Sequence, residues 1–171
     1  MIKRVKILEL VKRGENYEAM QNDISNYKGI CGVWAMYDEK GQLLEVAQTS
    51  DVFKELDFDL SFLVKKYDEI PDGTKSYISR ILFPEFSKRF EIYIGLGENR
   101  TRAKYRNIAQ TTNQINVYLI CDDIVNYEDR NTREEIEFKI AIDEKALYWN
   151  AFGKQRKLAK DYYKQTLKKS K

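Results

Sequence analysis

Residues Gly32 to Thr49 read GVWAMYDEKGQLLEVAQT, and how this stretch folds decides the architecture of the chain. Two runs rich in apolar and β-branched residues, Ile30 to Tyr37 and Leu43 to Thr49, flank Asp38-Glu39-Lys40-Gly41. Such runs around turn-forming residues predict two antiparallel strands joined by a short loop.

Outward from this hairpin, the N-terminal side reads as helical. Val5, Leu8 and Val11 recur at spacing three, which predicts an amphipathic helix over residues 2–13 ended by Gly14, and a second short helix covers Tyr17 to Tyr27. On the C-terminal side, Asp51 caps a helical segment carrying Phe53, Leu56, Leu60 and Leu63 on one side. Pro71-Asp72-Gly73 marks a turn, Tyr77 to Leu82 a further helix stopped by Phe83-Pro84, and Phe90 to Gly95 a strand. A basic helical stretch, Arg100 to Arg106, leads to the strand Ile115 to Ile120, which Asp122-Asp123 closes. Thr132-Arg133-Glu134-Glu135 has the form of a helix N-terminus, with Ile136, Ile140 and either Ile142 or Leu147 on its buried side. The order predicts an α+β fold: a small, mainly antiparallel sheet flanked by helices, with helical extensions at both ends. The expected organisation is one domain. Residues 1–28 form an N-terminal helical extension, 29–153 the core with an insertion at about 50–89, and 154–171 a basic C-terminal helix.

With 171 residues, 43% of them hydrophobic, the chain can bury one sizeable core, and no repeat or low-complexity run divides it. Its apolar runs are broken by charge too often for a membrane-spanning helix, and MIKRVKILELVKRG has no apolar stretch of signal-peptide length. A cytoplasmic protein without membrane partners is expected. The two cysteines, Cys31 and Cys121, fall in strand-like runs and read as small buried hydrophobes. The chain has no histidine, which removes Ser-His-Asp and Cys-His catalysis and histidine-based zinc sites. Hydrolysis would have to use Tyr, Lys, Arg and carboxylates with a hard metal.

The net charge of +3 is unevenly spread. From Lys154 onward, eight Lys or Arg face one acid, Asp161, so this tail carries +7. Lys154, Arg156, Lys157, Lys160 and Lys164 are its candidate phosphate contacts, and Tyr162-Tyr163 add an aromatic element. Equally, the tail reads as a solubilising helix with Leu158, Tyr162 and Leu167 packed inward. Gly95-Leu96-Gly97 lacks the third glycine of a dinucleotide site and reads as a turn.

The Gly32–Thr49 hairpin resembles the opening motif of the GIY-YIG nuclease family, in which a Gly-Ile-Tyr strand, a turn and a Tyr-Ile-Gly strand precede a polar pair such as Gln-Thr. Gly32-Val33-Trp34 stands for the first triplet, Glu45-Val46-Ala47 for the second, and Gln48-Thr49 for the pair. The family's second signature is a helix with a metal-binding glutamate followed by an asparagine. Glu137-Phe138-Lys139-Ile140-Ala141 precedes Tyr148-Trp149-Asn150 in the same order, so the resemblance spans residues 30–154. It implies that Glu137 holds Mg²⁺ or Mn²⁺ if the protein cleaves, with most of the metal's waters retained, and that Asn150 braces the site. Without the resemblance, Glu137 reads as a solvent-facing helix acid.

The chemistry departs from the family at the positions that matter most. Trp34 and Glu45 occupy the places of the two tyrosines that handle the attacking water, and Glu55 the place of the arginine that steadies the phosphate. Tryptophan is no base, and a glutamate repels a phosphodiester. Tyr93-Ile94-Gly95 offers a literal second motif, with Arg102 and Arg106 following one turn apart; a hybrid of Trp34, Glu45 and one of these arginines is also open. Two functions follow. One is a metal-dependent DNA endonuclease using Glu137, Tyr93, Arg102 or Arg106, and Asn150. The other is a GIY-YIG-like module without cleavage that binds nucleic acid or a protein partner. The nuclease assignment requires Glu137 to face the Trp34 and Glu45 side of the hairpin across a cleft.

Overall fold

A computed structural model describes residues 3–63 and 99–149 and the isolated helical positions Lys157, Leu158, Asp161 and Gln165. The expected turn at Pro71, the helix Tyr77–Leu82, the strand Phe90–Gly95 and most of the basic tail lie outside these residues. The strands are β1 (Lys3–Arg13), β2 (Asn16–Asn22), β3 (Gly32–Tyr37), β4 (Leu43–Thr49) and β5 (Gln114–Cys121). The helices are α1 (Val52–Leu60), α2 (Asn99–Thr111) and α3 (Arg130–Asp143), with short 3-10 turns at Ile24–Tyr27 and Ser61–Leu63. This is an α+β fold with an antiparallel sheet of order β2-β1-β5-β3-β4.

The hairpin folds as β3 and β4, with Trp34 opposite Ala47 and Met36 opposite Glu45. Gly41 takes φ 78° in its turn, a left-handed conformation that glycine adopts without a Cβ clash. Gly32 serves packing instead: a Cβ there would lie 3.1 Å from Leu119 and 3.2 Å from Val52, so its bare backbone lets α1 close on the sheet.

The N-terminal segment corrects the helical expectation. Residues 3–22 form the hairpin β1–β2, and β1 pairs with β5 along most of its length, so the segment belongs to the sheet and is no extension. A bulge explains the misleading period. The β1–β5 register shifts between Lys6 and Leu8, so Val5 and Leu8, three apart in sequence, both stand opposite residues of one face. An extra residue in a strand converts its period of two locally into three, which imitates a helix.

Both faces of the sheet are covered. On the first, Leu8, Trp34, Met36, Leu44 and Val117 pack with Val52 and Leu56 of α1 and Tyr105 and Ile108 of α2. On the second, Val33, Ala35, Val46 and Ile120 pack with Ile140 and Ala141 of α3 and with Trp149. The segment after α3 runs along the outer edge of β4, where Leu147 N–H donates to Leu43 O at 3.1 Å and Tyr148 N–H to Leu44 O at 2.8 Å. Covering an edge in this way removes a template for unwanted strand pairing. The segment also wraps around that edge, since Leu147 and Tyr148 join the first core and Trp149 the second. On the second face Arg4 binds Glu144 at 2.7 and 3.0 Å, and Tyr37 OH donates to Glu144 at 2.7 Å, tying β1 and β3 to the end of α3.

Helix starts follow local chemistry. Asp51 caps α1 as the sequence predicts, its carboxylate accepting Lys54 N–H at 3.0 Å. For α3 the cap is Asp129, which accepts Thr132 N–H at 3.1 Å and so places the start ahead of the Thr132 expected from sequence. The cysteines also differ from expectation. Both are only half-buried, and Cys31 Sγ lies 3.5 Å from Glu128 Oε2.

Candidate functional site

Strand β4 carries the first group of candidate residues, because alternation and a bulge at Leu44 turn both Leu44 and Glu45 toward the first face. Trp34 shares that face and is wholly buried, its indole N–H without a partner among the described residues. Glu45 is 7% exposed and Asp59, at the end of α1, 9%. From α2, Lys104 places its ammonium on Glu45 Oε1, and Tyr105 OH lies 3.0 Å from Glu45 Oε2 and 3.1 Å from Asp59 Oδ2. Side chains 46 and 60 residues before Tyr105 therefore meet at its phenol.

The charge balance of this cluster is uneven. Among the described residues, Glu45, Glu55 and Asp59 supply three carboxyl groups against the ammonium of Lys104. Burial, then the neighbouring Glu45, push Asp59 up to about 7. Burial likewise pushes Glu55 up to about 7, with a hydrogen bond from Thr49 opposing it and Asp59 and Glu45 reinforcing it. Lys104 pays a burial penalty that would lower it, but the adjoining Glu45 and Asp59 charges prevail and raise it. Tyr105 is held well above its ordinary value by burial and by the same carboxylates, so it is a hydroxyl and no phenolate.

Glu137 lies on the other face. It projects from α3, which packs on β4 and β3 on the side of Val33 and Val46. Its Oε1 accepts Trp149 Nε1–H at 2.9 Å and its Oε2 accepts Gln48 N–H at 3.1 Å. Arg133, one turn earlier on α3, donates to Gln48 Oε1 at 3.0 Å and to the Tyr127 and Glu128 carbonyls at 2.8 and 3.1 Å. Gln48 is thus gripped by α3 at both its backbone and its side chain. The phenyl edge of Phe138 meets Trp149 at 5.9 Å between centroids.

The sequence-derived sites separate accordingly. Trp34 and Glu45 come together with α1 and α2, whereas Glu137 is buried on the other face of the sheet, 6% exposed. The solvent-facing alternative for Glu137 is corrected as well. Arg106 is half-buried on α2; the Arg102 backbone is on the same helix, but its side chain is outside the described residues. Tyr93, Asn150, Lys154, Arg156, Lys160 and Lys164 also lie outside them, and Lys157 is helical and exposed. Leu158 is 46% exposed, so the inward packing expected of it is absent.

Glu137 does not suit Mg²⁺. A hard cation needs carboxylate oxygens open to the metal and its waters, while both oxygens here accept N–H donors in a buried seam. Among the described residues no three Asp, Glu or Cys side chains form a metal-binding group. Sequence reasoning missed Asp59, Lys104 and Tyr105, and the only signal for the last two was their place in the basic stretch Arg100–Arg106. No protein-family model, curated protein or solved structure matches this chain.

Proposed function

We propose that this chain is a GIY-YIG-like module that binds DNA without cleaving it. The observation that carries the reading is the placement of Glu137, with both oxygens accepting protein N–H groups on the face of the sheet away from Trp34 and Glu45. Supporting it, the phosphate-facing position of the motif holds Glu55 within an acidic cluster, which disfavours a phosphodiester. DNA contact is assigned to the basic tail, whose charge of +7 attracts a polyanion and whose Lys157 is exposed.

Two measurements test this. Supercoiled plasmid incubated with the protein and Mg²⁺ or Mn²⁺ stays intact; nicking that disappears in Glu137→Ala would establish the nuclease instead. Gel shifts with duplex DNA at low and moderate salt show binding that weakens steeply with salt, since phosphate contacts release counterions. Binding insensitive to salt, or no shift, refutes the DNA assignment and favours a protein partner.

A further inference from the structure

The contact between Tyr105, Glu45 and Asp59 carries a count of protons. A phenol has one hydrogen, yet Tyr105 oxygen lies within hydrogen-bond distance of two carboxyl groups, at 3.0 Å from Glu45 and 3.1 Å from Asp59. Two buried carboxylates cannot both accept that one hydrogen. Both contacts are hydrogen bonds only if one carboxyl is protonated and donates to the phenol oxygen while the phenol donates to the other. Lys104 decides which is which, because its ammonium forms an ion pair with Glu45. We propose that Asp59 is a neutral acid at and below neutral pH, forming the relay Asp59–OH to Tyr105–OH to Glu45 carboxylate to Lys104, and that ionising Asp59 releases the end of α1 from α2.

The upward displacement of Asp59 to about 7 agrees with this assignment. Among the described residues, the groups facing it are Glu45 from β4, Glu55 from α1, and Lys104 and Tyr105 from α2. When the proton of Asp59 passes to solvent, three carboxylates share one ammonium among the described residues, and the contact to Tyr105 loses its hydrogen. The released end is defined. Asp59 is followed by Leu60 and the turn Ser61–Leu63, whose Phe62 and Leu63 are buried in the first core. The latch thus joins a titration to the seating of that turn.

The sign follows from linkage. A carboxyl whose folded value is raised contributes stability that is complete below its unfolded value, about 4, and lost as pH rises through about 7. Carboxyl-carbon NMR of the intact chain at about pH 6 is expected to show Asp59 still protonated; a resonance already fully ionised there overturns the proposal. The melting temperature is expected to fall from about pH 4 to about pH 7 and level off above it, and amide exchange over residues 59–63 to exceed its intrinsic acceleration between about pH 6 and about pH 8. Asp59→Asn supplies an N–H donor to Tyr105 that does not titrate, so it should shrink the fall and remove the excess exchange. Glu55→Gln, which removes the other displaced carboxyl, should leave the exchange effect in place. An Asp59→Asn protein with the full pH slope and undiminished exchange refutes the latch, and the NMR readout on the unmodified chain decides the matter even if the variant fails to fold.

Discussion

Glu137 shows how far a residue's role in the fold can lie from the one expected of it. Its place on a helix ahead of Tyr148-Trp149 led to the expectation of a metal ligand, yet its carboxylate joins α3 to β4 through Gln48 and secures Trp149. Replacing it with Ala leaves two buried N–H groups unsatisfied, at about 1–3 kcal/mol each, so a total loss of about 2–6 kcal/mol is expected in urea unfolding. Glu137→Gln should fall between, because its amide oxygen accepts from one donor and its NH₂ opposes the other. A loss below about 0.5 kcal/mol for the Ala variant, as for an ordinary surface residue, would contradict the structural role. That Glu137 sits on a helix was legible from Ile136 and Ile140. That its oxygens meet Trp149 and Gln48 was not, since the Gln48 contact spans 89 residues and depends on which face α3 covers.

Among the elements, those with undisturbed periodicity were legible. β3, β4 and β5 lie within a residue or two of their expected bounds and α1 starts after its expected cap, ending at Leu60 ahead of the expected Leu63, because alternation, turn residues and the Asp51 cap act locally. β1 was misread because its bulge shifts the register, and β2 because its side chains are nearly all exposed or half-exposed, leaving no alternation to read. The caps give a local test. Asp51→Ala and Asp129→Ala each remove an acceptor from a first-turn N–H and should lower the melting temperature, while Ser at either position should retain most of it. Equal melting of the Ala and Ser variants would show that these carboxylates do not support their helices.

For the whole molecule, β5 is the centre on which the sheet depends. It pairs with β1 on one side and β3 on the other, joining the two hairpins. A chain beginning at Gly29, where the sequence placed the core boundary, would lose Ile7 and Leu8 from the first core and leave one edge of β5 unpaired. It should fail to give a cooperative thermal transition and should aggregate; a soluble, cooperatively melting protein would show β1–β2 to be dispensable. The sequence by itself determined the α+β class, the central hairpin, the strand and helix that follow it, and the absence of histidine chemistry, since these rest on neighbouring residues or on composition. Only the tertiary structure decided that the N-terminus joins the sheet, that Glu45 and Glu137 stand on opposite faces, and that Asp59, Tyr105, Glu45 and Lys104 form one network. The reason is physical: local patterns report which side of a strand or helix is apolar, while the pairing of distant elements comes from packing that no short stretch of chain contains.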